Sequence, residues 1–329
     1  MSGPERILVM KFSALGDFAQ CFGAFQTIRK AHPGAEITLL TTPPYQGLAR
    51  DSGLFDRVEI DAKPKGAQAT LALIWRLRMA GYRRVYDIQT SGRSSRYRLF
   101  FFPWFPEWSG IAAGASHRQT RPDRQKLHNM DRLADQMHVA GIAPAYPIGA
   151  APTPDLSTLA RVSRGEHAST AERFGVRPPF ALLIPGASAG RTDKHWPIEF
   201  YQCLARTLTE RGLSIVVAGS PQEAPLGRAI AEAAPATVDL TGKTSMTDLA
   251  GLGAEAALCV TNDTGPGHMA AYAGAPGLML MSHGSFPEHC SPRAAMRTVF
   301  VDDLAALTPE AVLEALGDLV CLGSTPPAC

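Results

Sequence analysis

Apolar and polar positions along the chain fall into two alternating series of strands and helices. Ile7-Leu8-Val9-Met10, between Arg6 and Lys11, is an unbroken apolar run and predicts a buried strand. Ser13-Ala14-Leu15-Gly16-Asp17 then makes a glycine-containing turn, and Phe18 to Lys30 carries helical spacing. Ile37 to Thr41 predicts a second strand, stopped by Pro43-Pro44, and Arg57 to Ile60 and Val85 to Ile88 two more, with a helix over Leu71 to Gly81 between them. Asn129 to Gly141 reads as a helix with a glycine stop. The second series opens at Phe180 to Ile184 and continues with strands at Leu213 to Gly219, a short one ending near Leu240, Ala256 to Val260, and Leu278 to Met281 as the last. Helices are expected from Pro197, over Thr247 to Leu252, from Pro266 past Tyr272, and over Pro309 to Leu322. Strands alternating with helices indicate doubly wound, mainly parallel sheets. Between the series, Ala143 to Pro154 is rich in proline and alanine and Arg161 to Thr170 is polar, so a boundary is expected between about 150 and 178.

Composition narrows the class. With 329 residues, 45% of them hydrophobic, the chain can bury a core large enough for two domains. A net charge of +2 gives no global case for nucleic acid binding, and no apolar run approaches the ~18 residues of a membrane span. The amino terminus leads straight into a strand without a signal-peptide core. The six cysteines are scattered, with no CxxC pair, which suits reduced thiols and gives no metal motif. A cytoplasmic protein is the expectation.

Candidate chemistry lies in the turns that follow strands. Val260-Thr261-Asn262-Asp263-Thr264-Gly265-Pro266-Gly267-His268 joins a buried strand to a helix. The first N–H groups of that helix have no partner within it, and the macrodipole favours an anion there. An ordinary helix capped by Asn262 or Asp263 is the plainer reading. Pro185 to Pro197 is a small-residue loop with Ser188, Thr192 and Lys194, able to hold a phosphate although the P-loop spacing is absent. Glu223, after the strand at Leu213 to Gly219, could accept hydrogen bonds from ribose hydroxyls. Asp17 is either a favourable first-turn charge or a carboxylate aimed at a ligand. From Gln89 to Arg132 the cations Arg93, Arg96, Arg98, Arg118, Arg121, Arg124, Lys126 and Arg132 far outnumber Glu107, Asp123 and Asp131, and aromatic residues from Phe100 to Trp108 lie among them. Such a mixture suits an anionic amphiphile, or else a solvated basic face beside a core strand.

At four of these places the chain resembles the ADP-heptose:lipopolysaccharide heptosyltransferase family, glycosyltransferase family 9. The signatures are Ile7 to Asp17, then Pro185-Gly186-Ala187-Ser188 with Lys194-His195-Trp196-Pro197, then Leu240 to Ser245, then Asn262 to Ala271, in the family's order. The resemblance implies a GT-B fold: two Rossmann-like, doubly wound domains facing a cleft, with 1–165 binding the acceptor and 166–329 the nucleotide sugar. It also allows the last helix to cross back to the first domain. It implies Asp17 as general base. A donor site of Ser188, Lys194, Glu223, Thr244, Asp263, Thr264, Gly265 and His268 is expected, with Arg93, Arg96, Arg118 and Arg121 on the acceptor. The implied reaction is inverting, uses no metal or cofactor, and moves heptose from ADP-heptose to an anionic, lipid-linked glycan. Such an enzyme would work peripherally at the cytoplasmic face of the inner membrane. Another nucleotide sugar, a protein or other glycan acceptor, or a non-catalytic nucleotide-sugar binder are the alternatives. Two places depart from the family pattern: Ala187 to Gly190 carries one hydroxyl, and Ser282-His283-Gly284-Ser285-Phe286-Pro287 replaces the usual stretch that lines the donor pocket.

Overall fold

A computed structural model describes residues 3–62, 66–187 and 190–321, and divides the chain into two compact units, Met1–Pro154 and Asp155–Cys329. Ser188 lies outside the described residues.

The first unit runs β1 (Arg6–Met10), α1 (Leu15–Gln20), α2 (Phe22–Ala31), β2 (Glu36–Thr41), α3 (Gln46–Asp51), β3 (Arg57–Ile60) and α4 (Ala67–Met79). It continues with β4 (Arg84–Asp87), α5 (Gly92–Arg96), β5 (Glu107–Gly110), β6 (His117–Arg118) and α6 (Asn129–Val139). Its six strands are all parallel, in the order β3-β2-β1-β4-β5-β6. The single helix expected over Phe18 to Lys30 is broken at Cys21 into α1 and α2. β5 and β6 were not expected, because they lie inside the basic and aromatic stretch. Trp108 of β5 is fully buried and packs edge-on to Phe101, so part of that stretch is core.

The second unit runs α7 (Ser157–Arg164), α8 (Thr170–Arg173), β7 (Phe180–Ile184), α9 (Ile198–Glu210), β8 (Ser214–Val217), α10 (Ala224–Ala233) and β9 (Val238–Asp239). After these come α11 (Met246–Glu255), β10 (Leu258–Asn262), α12 (Gly265–Tyr272), β11 (Gly277–Met281), α13 (Pro287–Cys290), β12 (Met296–Phe300) and α14 (Pro309–Leu316). Its parallel order is β12-β11-β10-β7-β8-β9. β11 is therefore not the last strand. β12 pairs beside it as a half-exposed edge strand whose Met-Arg-Thr-Val-Phe lacks an apolar run. The polar stretch after Asp155 is not a linker: α7 buries Leu159 and packs on α11, where Ser163 Oγ donates to Asp248 Oδ1 at 3.0 Å. The division thus falls at 154/155, ahead of the 165/166 boundary expected from sequence. α14 packs on α9, with Val312 and Leu316 in the second unit's core.

In each sheet the strand order reverses once, between β1 and β4 and between β7 and β10. The carboxyl ends flanking such a reversal leave a crevice where open α/β sheets bind ligands. Asp17 follows β1, Lys194 follows β7 and Asp263 follows β10, so each sits at a reversal point.

Candidate functional site

In the first unit a cavity of ≈ 170 Å³ opens at the β1/β4 reversal, lined among others by Lys11, Asp17, Gln89, Thr90, Arg124, Asn129 and Arg132. Gln89 Oε1 accepts from the Phe12 N–H at 2.9 Å and ties the two strand ends together. Asp17 lies in the first turn of α1, half-buried, where the helix amino end favours its charge. Asn129 Nδ2 donates to Asp17 Oδ1 at 3.0 Å, and Arg132, one turn along α6, donates to Asn129 Oδ1. The carboxylate is thus oriented by a neutral amide. Lys11 is buried, yet among the described residues it forms no ion pair with Asp17.

Arg124 is buried too, donating to Gln119 Oε1 at 2.5 Å and to Thr90 Oγ1 at 2.7 Å. Lys11, Arg124 and Arg132 thus surround the cavity, and none belongs to an ion pair with a carboxylate among the described residues. Three cations against one carboxylate make the cavity electropositive, suited to an acidic ligand. Behind it, at the end of β4, Asp87 is buried. Desolvation pushes its carboxyl up to about 7, against the pull of hydrogen bonds from Ser94 and Thr90 and the charges of Lys11 and Arg124. Its Oδ1 accepts from the Thr90 N–H at 2.9 Å, while Oδ2 has no hydrogen-bond partner among the described residues. Thr90 takes a φ of 44°, an unusual conformation for a branched residue, and so places its hydroxyl on Arg124. Cys21 lines the same cavity, and burial pushes its thiol up to about 11, which makes it a neutral wall.

The four arginines expected to hold the acceptor do not line this cavity. Arg93 pairs with the fully buried Asp61 at 2.5 Å and lies over the rings of Phe12 and Tyr97. Arg121 is gripped by Asp123 through two bonds of 2.6 and 3.0 Å. Arg96, at the end of α5, and Arg118, on the edge strand β6, are exposed. Sequence alone counts cations but cannot show which are already neutralised. Asn129 and Asp87 were not singled out from sequence. Their one signal is polarity, at a helix start and inside an apolar strand respectively.

In the second unit three of the residues expected to hold the donor, Lys194, Asp263 and His268, come together at the β7/β10 reversal. Lys194 Nζ donates to Asp263 Oδ2 at 2.5 Å, and both side chains are largely buried. His268 Nε2 stands 3.4 Å from Asp263 Oδ1, and its buried Nδ1 has no hydrogen-bond partner among the described residues. Burial alone would raise the Asp263 carboxyl, but hydrogen bonds from His268 and Lys194 outweigh it and hold the group well below the usual carboxylate range. Helix α12 begins at Gly265 with Thr264 as N-cap and no side-chain cap bond, so neither Asn262 nor Asp263 caps it. Its first-turn N–H groups remain unmatched by the helix itself.

Asn262 has a different task. Its Nδ2 donates to the Pro185 carbonyl at 2.7 Å and its Oδ1 accepts from the Trp196 N–H at 3.2 Å, fastening the Lys194 loop to β10. Glu223 caps its own turn, its Oε2 accepting from the Ser220 N–H at 2.5 Å. Its carboxylate lies against Gly186, where any Cβ would overlap it. Thr244 stands half-buried just before α11. Its turn meets Glu223's turn where the Gly242 N–H donates to the Gly219 carbonyl at 2.8 Å. Glu223 and Thr244 thus share one flank, and Lys194, Asp263 and His268 the other.

The unusual stretch after β11 reaches the same loop. Ser282 Oγ donates to the Asp193 carbonyl at 2.5 Å, and Arg191 binds both the Asp193 carboxylate and the Gly284 carbonyl. Asp263, His268 and Cys290 bring one ligand atom each to within 4.8 Å of one another. Three donors with the Lys194 ammonium on the carboxylate are a poor match for a closed tetrahedral metal site.

The sequence model described as glycosyltransferase family 9 (heptosyltransferase) matches residues 70–301. Among curated proteins, the Haemophilus influenzae lipooligosaccharide heptosyltransferase 2 is 29% identical over 198 residues, which cover 51% of this chain and 56% of that protein, so the match spans little more than half the relative's length. The Escherichia coli lipopolysaccharide heptosyltransferase 2 is 27% identical over 358 aligned positions, covering 96% and 98%. Among solved structures, the Escherichia coli ADP-heptose LPS heptosyltransferase II superposes with a TM-score of 0.76 at 22% identity, over 96% of this chain and 98% of that one.

Proposed function

Because the chain belongs to glycosyltransferase family 9, the heptosyltransferases, and has its two-sheet GT-B architecture, we propose that it moves heptose from ADP-heptose to an anionic, lipid-linked core glycan. The observation that carries the donor half is the Lys194–Asp263 pair at the start of α12, at the sheet's reversal point. The ammonium and the first-turn N–H groups of Thr264 and Gly265 neutralise the diphosphate. Asp263, held ionised by its neighbours, accepts from sugar hydroxyls, and Glu223 and Thr244 face the nucleoside from the other flank. As the glycosidic bond breaks, charge grows on the diphosphate, so donors fixed there stabilise the transition state more than the ground state.

The acceptor half rests on Asp17. The acceptor hydroxyl attacks the anomeric carbon, its proton passes to the Asp17 carboxylate, and ADP leaves with the bonding electrons, inverting the centre in a single displacement. Lys11, Arg124 and Arg132 supply the charge that holds the acceptor's acidic groups. Lysine and a helix amino end provide positive charge of the kind a divalent ion provides elsewhere, so the reaction proceeds without one. Such an acceptor places the enzyme at a membrane surface, and no helix among the described residues is long and apolar enough to cross it. One observation favours a second reading. Ser282 and Gly284, in the stretch that departs from the family, touch the Lys194 loop, which suits a donor sugar or base other than ADP-heptose.

Thermal unfolding with ADP, ADP-heptose, UDP or GDP, with and without chelator, tests the reading, since a ligand of the folded state raises the melting temperature. Stabilisation by the adenine species alone, unchanged by chelator, is expected. A shift with UDP or GDP alone would replace the donor, and no shift with any nucleotide would favour the non-catalytic alternative.

A further inference from the structure

Helix α4 is apolar on two sides. Leu73 and Leu77 are buried against the first unit's sheet, while Leu71, Trp75 and Met79, one turn apart on the outward side, are each more than 60% exposed. A surface helix normally turns polar residues outward. Beside it lies the segment from Leu99 to Phe105, where Leu99, Phe102 and Trp104 are exposed, Trp104 at 80%. Arg78 of α4 joins the two: its guanidinium donates to the Phe102 carbonyl and lies 5.7 Å from the Trp104 ring centroid. Arg98 lies 4.1 Å from the ring centroid of Phe105. The result is one continuous apolar face studded with arginines, and exposed faces of this kind mark interaction sites.

Its charge selects the occupant. From Gly66 to Pro106 the only acidic residue is the buried Asp87, whereas there are seven arginines. Arg76, Arg84 and Arg93 are paired with Glu59, Glu107 and Asp61; Arg78, Arg96 and Arg98 belong to no ion pair among the described residues. A second copy docking symmetrically would set Arg78, Arg96 and Arg98 against their own images, and the acids beside Trp75 and Met79, Glu36 and Glu59, are already paired with Arg57 and Arg76. A membrane surface of anionic phospholipid offers both complements, hydrocarbon for the rings and phosphate for the guanidinium groups, and exposed tryptophan suits that interface. We propose that α4 and the Leu99–Phe105 segment form the face by which the first unit docks on an anionic lipid bilayer. This deepens the reading of a lipid-linked acceptor and names the surface involved.

The tryptophans make the proposal directly measurable. Trp75 and Trp104 lie on the face, whereas Trp108 and Trp196 are buried elsewhere. Titration of the full chain with vesicles of phosphatidylglycerol and phosphatidylethanolamine should shift tryptophan emission to the blue and allow quenching by lipids brominated near the headgroup. Phosphatidylcholine vesicles should bind at least tenfold more weakly. Trp75→Glu with Trp104→Glu should lose at least tenfold in vesicle affinity, and Arg78→Glu should erase the preference for anionic lipid. Both positions are solvated, so the melting temperature of each variant should stay at the parent value. Absence of emission change on anionic vesicles, parental binding by the double variant, or a dimer that the double variant abolishes would each overturn the proposal. The readout needs neither nucleotide nor transfer, so failure of the donor reading would leave it untouched.

Discussion

Two carboxylates stand at the reversal points of the two sheets, Asp17 just beyond β1 and Asp263 just beyond β10, and they are held in opposite ways. Asp263 is buried and clamped, with the Lys194 ammonium on one oxygen and His268 on the other. Asp17 is half-exposed at the mouth of a cavity, touched by the neutral amide of Asn129, while the nearby cations stand back. The difference matches what the role proposed for each requires. A carboxylate that only accepts hydrogen bonds from a sugar gains by being locked in its ionised form. A base has to take a proton, and a tight cationic partner would remove its reason to do so.

The contrast is broken most severely at Asp17. Asp17→Asn keeps the shape and the hydrogen bond to Asn129 but cannot accept a proton, so kcat should fall by about 10³-fold. ADP affinity should stay within about twofold, since the proposed nucleotide site lies in the second unit. Loss of ADP binding together with turnover would show that Asp17 is no base. Lys194→Ala tests the other member. It leaves Asp263 buried with His268 alone, at a cost of about 3 kcal/mol in unfolding free energy. It should also weaken ADP by about 10- to 100-fold, because the lost contact is charge-assisted. An unchanged dissociation constant in calorimetry would remove Lys194 from the diphosphate site. Asp263 also sets a sign in acid. Its folded value is depressed, so its stabilisation is present above the unfolded value of about 4 and is lost as pH falls below that. In Lys194→Ala the depression shrinks, and acid unfolding should begin at higher pH.

Asn129→Ala probes orientation without touching charge. A carboxylate no longer aimed by an amide should lower kcat by about tenfold, with KM and the melting temperature nearly unchanged. Asn129→Gln, which restores the amide at a longer reach, should recover part of the rate. If Asn129 merely braced α6, the melting temperature would fall while kcat held.

Asp17, Lys194 and Asp263 were legible because each sits where a strand's apolar run gives way to a glycine-bearing turn, a pattern local to about ten residues. The alternating strands and helices were legible for the same reason, as short periodic signals bounded by glycine and proline. What sequence concealed is long-range or weakly patterned. Asn129 reaches Asp17 from 112 positions away, and a polar residue at a helix start does not announce that partner. β12 lacks an apolar run because it is an edge strand, and α7 looked like linker because only Leu159 and Ser163 are buried within it. Arg93 and Arg121 read as free cations, but Asp61 and Asp123 had already taken them. The aromatic stretch held two populations that composition could not separate, Phe101 and Trp108 in the core and Phe102 and Trp104 outside.

Asp87 supplies the intermediate case that sharpens the contrast. It is as buried as Asp263, but among the described residues it has no ion-pair partner and one of its oxygens has no hydrogen bond. Desolvation therefore wins, and its carboxyl is pushed up to about 7. A raised carboxyl binds its proton more tightly in the folded than in the unfolded chain. Its stabilisation is full below the unfolded value of about 4, shrinks as pH rises, and is exhausted above about 7. Stability should thus decline across this window by roughly 1 kcal/mol per pH unit from this residue. Asp87→Asn mimics the protonated form and should flatten the decline. Melting temperatures of both proteins at half-unit steps from pH 4.5 to 8 read it directly. Parallel curves would mean that Lys11 and Arg124 already hold Asp87 ionised, making it a second clamped carboxylate, like Asp263. Diverging curves would place a neutral acid behind the cavity, leaving the positive charge of Lys11 and Arg124 for the acceptor.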